Sequence, residues 1–220
     1  MAASKTSSLK IDRTDIIRIL LWSTVVFFTW LFMHGVDHFL TLTPEALGKY
    51  FELRLIIIGH ITAGGGALIL GLIQFWPKLR NFSWKIHRVV GILYLLAVLL
   101  SSVTAAILTG TTAYAVNWAY AFSLQIWVGV WISSTVIAYY AALKKNFVLH
   151  RQWMTRSYLV TTAFLVSGLL LRTSWVQRLG DFADISPAFF WFGWSVPLYL
   201  YEIFLTTYRA STSRSRIASL

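Results

Sequence analysis

The chain has 220 residues, a formal net charge of +11 and no cysteine. Hydrophobic residues make up 57% of it and charged residues only 12%, with the charges gathered between long apolar blocks. This excludes disulfides, thiolate metal sites and cysteine-bound iron–sulfur clusters, and it leaves no separate basic fold to bind nucleic acid.

Continuous apolar runs of about 20 residues match the hydrocarbon thickness of a bilayer. Six stand out, at residues 16–33, 53–76, 89–108, 118–143, 153–171 and 188–208. They consume most of the chain. The expected fold is therefore all-α: a polytopic membrane helix bundle with six transmembrane helices in one domain, 15–208, between tails at 1–14 and 209–220. The first run is too long for a signal peptide, and no small-residue cleavage site follows it. It reads as the first span.

The basic residues alternate with the loops. Lys5, Lys10, Arg13 and Arg18 precede or open the first helix, and Lys78, Arg80, Lys85 and Arg88 separate the second from the third. Lys144, Lys145, Arg151 and Arg156 separate the fourth from the fifth, and Arg209, Arg214 and Arg216 follow the sixth. The other loops hold Lys49, Arg54, Arg172 and Arg178, offset by Asp37, Glu45, Glu52, Asp181 and Asp184. This positive-inside pattern predicts cytoplasmic termini, a multi-pass protein of the cell (inner) membrane, and anionic lipid at the basic face.

In chain order, helix one ends near His34-Gly35-Val36-Asp37-His38, with His34, Asp37 and His38 spaced i, i+3, i+4 as on one helix face. That spacing suits a zinc or other divalent site, with solvent-facing residues as the alternative. Thr43, Pro44 and Glu45 predict a short helix at the outer interface. In helix two, His60 shares a face with Gly64, Ala67 and Gly71, about 9 Å along the helix from Arg54; Pro77 ends it. Helix three rises from His87, with Gly91 four residues on. Helix four carries Gln125, Trp127, Trp131, Tyr139 and Tyr140, and helix six carries Glu202 in its inner half. Trp76, Trp84 and Trp153 near one boundary, with Trp118 and Trp175 near the other, read as aromatic belts.

The sharpest chemical feature is a pair of His-Arg steps, His87-Arg88 and His150-Arg151, at the same ends of helices three and five. Imidazoles from two facing helices make a six-coordinate haem suited to electron transfer. On this reading His87 and His150 are the axial ligands of a haem b. Gly91 clears space for the macrocycle, and Arg88, Arg151 and Arg156 steady its carboxylates. His60, with His34 or His38, would hold an outer haem. The competing reading makes the His-Arg pairs headgroup contacts, His60 a hydrogen-bonded core histidine, and its glycines packing residues. Glu202 reads as a buried carboxylate paired with Arg88 or Arg156, or as a proton relay.

These motifs carry a resemblance. His60 with its glycines, Gln74-Phe75, His87-Arg88 with Gly91 and Tyr94, His150-Arg151-Gln152-Trp153-Met154-Thr155-Arg156-Ser157-Tyr158, then Arg172, Trp194, Pro197 and Glu202 resemble a family of predicted bacterial membrane proteins. It is number 2306 in the domain-of-unknown-function series, and the likeness runs from about residue 55 to 205. It implies a polytopic membrane protein. Histidines on helices three and five are also similar to those of ascorbate-reducible di-haem cytochromes b, which pair helices two and four as well; helix four here has no histidine.

The expected function is thus a haem-binding membrane redox protein with a quinone or small reductant as electron partner. The alternative is a non-enzymatic membrane assembly or interaction subunit with a protein partner, or a small-solute transporter without cofactor. A membrane enzyme with a histidine-bound metal is the third class.

Overall fold

A computed structural model of the chain describes residues 13–76 and 82–217. Six long helices carry it: α1 (Arg13–His34), α3 (Arg54–Phe75), α4 (Trp84–Gly110), α5 (Trp118–Leu143), α6 (Phe147–Leu170) and α8 (Phe182–Ile217). Two single-turn helices, α2 (Pro44–Leu47) and α7 (Ser174–Gln177), lie in connections. Four stretches of the described residues are long and apolar enough to cross a membrane: Pro44–Phe75, Trp84–Gly110, Trp118–Leu143 and Phe182–Tyr208.

The helix starts follow from capping chemistry. Thr43 Oγ1 accepts from Ala46 N ahead of Pro44, as the sequence predicted, and Ser83 Oγ accepts from Ile86 N. Asn117 Oδ1 accepts from Tyr120 N at 2.7 Å and Asn146 Oδ1 from Leu149 N at 3.1 Å. These caps move two expected boundaries. Helices α4 and α6 begin at Trp84 and Phe147, so His87 and His150 each sit one turn inside. Their N–H groups bond to Ser83 O and Asn146 O, within the first closed turn of each helix. Pro77 lies outside the described residues; α3 ends at Phe75. At the other terminus α8 continues to Ile217, through residues 209–217 that were expected to be tail.

Helix α8 contains two prolines, Pro187 and Pro197. A helical proline withholds the bond that its N–H would give to the carbonyl four residues earlier. For Pro187 that carbonyl belongs to Ala183, and Asn117 Nδ2 donates to it at 2.9 Å. One side chain therefore caps α5 with its oxygen and repairs α8 with its nitrogen.

The bundle packs α3 on α4, α5 on α6, and α8 on both α5 and α6; α1 lies against α6 and α3. Close approach is set by glycines, as expected where helices pack in lipid. The Tyr158 ring occupies the space that a Cβ at Gly71 would need, and Phe32 and Met33 of α1 crowd Gly168 and Gly65. In the centre a knot of fully buried hydroxyls joins α4, α5 and α6. Tyr94 Oη lies 2.8 Å from Ser157 Oγ and 3.0 Å from Thr161 Oγ1, and Thr135 Oγ1 lies 2.7 Å from Ser157 Oγ. Trp131 Nε1 donates to Thr161 Oγ1 at 2.8 Å.

Asn117→Ala removes both a cap and the partner of a proline-orphaned carbonyl. It should cost about 1–3 kcal/mol, read as a lower thermal midpoint in lipid nanodiscs; Asn117→Asp, which keeps the cap alone, should recover about half of that.

A candidate ligand cavity around His60

His60 stands on α3 opposite Ser101 of α4. Gly64, one turn on, faces the same serine: a Cβ there would lie 3.2 Å from Ser101 Oγ. This close packing lets the histidine reach across. His60 Nδ1 lies 3.0 Å from the Ser101 carbonyl and 3.1 Å from its Oγ, which donates in turn to His60 O at 3.2 Å. A carbonyl only accepts, so Nδ1 carries the proton of the neutral ring and Nε2 keeps a lone pair. The ring meets Phe164 of α6 edge-on, centroids 5.9 Å apart.

Beside this contact lies an open cavity of about 540 Å³, lined by residues of α1, α3, α4, α5, α6 and α8 in the half of the bundle that holds the start of α3. Its body is apolar and aromatic. Trp127 and Phe164 stack at 4.2 Å, and the Trp127 and Trp131 indole nitrogens donate away to Val160 O and Thr161 Oγ1. That leaves both rings as hydrocarbon surface. His60 and Ser101 are polar groups at its end towards the middle of the bundle; Tyr50, Thr109, Thr112, Tyr120, Ser167, Arg172 and Gln177 lie nearer its other end, by the start of α3. Among the described residues no aspartate or glutamate lines it. The volume falls within the roughly 300–1,000 Å³ of sites that hold drug-sized molecules.

The opposite end of the bundle holds the two His-Arg steps, and neither His87 nor His150 lines this cavity. Gln74 of α3 donates its amide to His87 Nε2 at 3.2 Å, so the lone pair a metal would use is taken up there. The same amide fills the space beside Gly91, where a Cβ would stand 3.0 Å from it. Gly91 therefore admits a glutamine rather than open room. His150 instead donates from Nδ1 to Ala138 O of α5 at 2.8 Å. The two imidazoles are held by different neighbouring helices, while Arg88 and Arg151 are exposed.

Glu202 pairs with Arg156, one of the two partners expected. Arg156 Nη2 and Nε both donate to Glu202 Oε1, at 2.6 and 2.7 Å. Within the bundle the carboxylate side chain is 50% exposed, against 15% for the arginine. Arg156 also stacks on Trp153 and Tyr201, 4.8 and 5.2 Å from their centroids.

The expected face of His34, Asp37 and His38 does not form. Helix α1 stops at His34, a turn follows, and Asp37 opens a separate 3₁₀ segment to Thr41, which breaks the i, i+3, i+4 register. His34 stacks on Trp30 and pairs with Asp37 through Nδ1 at 3.0 Å; His38 packs beside Phe39. Among the described residues no group of three or more potential ligands is placed to hold a metal.

Sequence reasoning singled out His60 and missed Ser101, Phe164 and the cavity role of Trp127. A signal for Ser101 was present: Tyr94, Val98, Ser101, Ala105 and Leu108 recur at helical spacing and all are buried. Phe164 had none, since an apolar residue in an apolar run does not announce what it faces.

The profile of the family described as "Predicted membrane protein (DUF2306)" matches residues 57–205. That stretch includes His60, Ser101, Trp127, Phe164, Arg172, and the Arg156–Glu202 pair. No curated protein and no solved structure matches the chain.

Glu202→Gln keeps an acceptor for the Arg156 guanidinium and should lower stability by about 1 kcal/mol. Arg156→Gln should cost more, about 1–2 kcal/mol, since it also removes the stacking on Trp153 and Tyr201. Thermal melts of the two variants in nanodiscs check the order.

Proposed function

We propose a ligand-binding function for this chain, which belongs to the DUF2306 family of predicted membrane proteins: its cavity takes a lipid-soluble molecule with a flat ring, anchored at His60. The observation that carries this reading is the fixed imidazole. Held at Nδ1 by the Ser101 carbonyl, His60 offers Nε2 at the inner end of an apolar space walled by the stacked Trp127 and Phe164. A quinone is the class that suits such a site. Its ring lies against aromatic walls, its hydroxyls in the reduced form donate to an imidazole acceptor, and its tail is soluble in the bilayer.

We place the protein in the cell membrane with six spans and both termini cytoplasmic. Six long helices support that count. So does the charge at the two ends: Lys85, Arg88, Lys144, Lys145, Arg151 and Arg156 gather at one, while the acidic residues Asp37, Glu45, Glu52, Asp181 and Asp184 lie at the other.

A haem b between His87 and His150 is the second reading. One contact favours it: a carbonyl on Nδ1, as Ala138 provides to His150, is the arrangement that orients an imidazole for ligation through Nε2. His87, with Nε2 on Gln74, would have to turn to join it, and Arg156 would have to share its guanidinium with Glu202. When bound, such a haem would supply one-electron transfer.

Titrating a short-tailed benzoquinone, in its reduced form, into the protein in nanodiscs should quench tryptophan fluorescence, and Trp127→Phe should remove most of the signal. His60→Phe should weaken binding about tenfold, the worth of one lost hydrogen bond to a buried partner. Equal affinity in His60→Phe would remove the anchor from this reading. Absorption of protein from haem-replete cells tests the second: a Soret band lost in both His87→Ala and His150→Ala supports it, and a colourless protein ends it.

A further inference from the structure

Two cations, Arg172 and Lys49, stand at the outer end of the cavity. Arg172 lines it, donating from Nη2 to the Gly35 carbonyl at 3.1 Å with its guanidinium carbon 5.6 Å from the Phe32 ring centroid. That carbonyl takes one of five N–H donors. Lys49 lies over Tyr50 and Tyr120, 5.2 and 5.8 Å from their centroids, and both tyrosines line the same end. Among the described residues neither cation has a carboxylate within 4.0 Å, and none lines the cavity. Both are exposed at the rim, and two cations without a carboxylate at ion-pair distance, beside an apolar space, favour an anion there; arginine suits carboxylate or phosphate in particular.

We propose that the cavity's ligand is a single-chain or single-ring amphiphile bearing an anionic head, which sits at Arg172 and Lys49 while its apolar body reaches towards His60. This rests on the cavity reading above and adds to it an anionic head, on a body that is a ring or a single chain. The volume of about 540 Å³ suits one chain or ring system. The head chemistry is shared by a free long-chain carboxylate and by the phosphate of a membrane lipid.

The test uses the full chain in nanodiscs of neutral phosphatidylcholine, with tryptophan quenching by brominated probes as the readout. A sixteen-carbon carboxylate, as a chain length of about that order fits the cavity, is compared with its methyl ester and with the short-tailed quinone. The acid should bind roughly ten- to a hundredfold tighter than the ester, the range of one charge-assisted hydrogen bond. Lys49→Gln and Arg172→Gln should each shrink that ratio several-fold, and Arg172→Lys should keep most of it. Lys49 is exposed and meets only the Tyr50 and Tyr120 rings, so its variant remains informative should Arg172→Gln fail to fold. Equal binding of acid and ester, or a ratio unmoved by Lys49→Gln, overturns the anionic head. If the quinone still binds through His60 in that case, the cavity reading stands alone. If no probe binds, both fall. Adding phosphatidylglycerol to the discs separates the sources: displacement of the acid assigns the head to a lipid phosphate, and no displacement assigns it to a free carboxylate.

Discussion

The contact between His60 and Ser101 is the one on which the site depends. In hydrocarbon an unsatisfied polar group costs several kcal/mol, so an imidazole six residues inside a span has to find its partner on a neighbouring helix. It finds one because Gly64 lets α4 come close enough for a serine carbonyl to meet Nδ1. That bond fixes the tautomer, the ring plane and the identity of the remaining acceptor. It also aligns α3 with α4, and these two helices form one continuous wall of the cavity.

The two ends of the bundle solve different problems. At the end with the His-Arg steps, polar groups are consumed internally: Gln74 with His87, Ala138 O with His150, Glu202 with Arg156. At the His60 end polar groups are also bonded within the protein, but several of them line the cavity. The central hydroxyl knot separates the two, and its members satisfy one another across three helices. Polar side chains therefore stitch the bundle at its middle and at both ends, and at the His60 end some of them also line the cavity.

Much of this was legible in the residues. Six apolar runs gave six long helices, Thr43-Pro44-Glu45 gave its single turn, and Glu202 found Arg156. What was not legible were contacts that depend on the side-chain rotation of two helices at once. Matched level and matched neighbours suggested that His87 and His150 face each other. Level along a helix says nothing of azimuth, and each ring meets the helix next to its own. Likewise the i, i+3, i+4 spacing at His34 presumes a helix that continues, and the turn after His34 ends it. The caps that shifted α4 and α6 by a turn were single polar residues, Ser83 and Asn146, among several of similar kind.

One wall of the cavity is built unlike the others. Helices α3 to α8 are joined by hydroxyl, amide and indole hydrogen bonds, but α1 meets the bundle chiefly by shape. Phe32 sits against Gly168, Met33 against Gly65, and Arg172 against Gly35. Contacts of this kind have a short reach: a radial gap of roughly 0.5–1 Å already forfeits a quarter to a half of the attraction. The volume around His60 is accordingly bounded on one side by two side chains seated in two glycine hollows, at the tip of α1 rather than in the helices that carry the histidine.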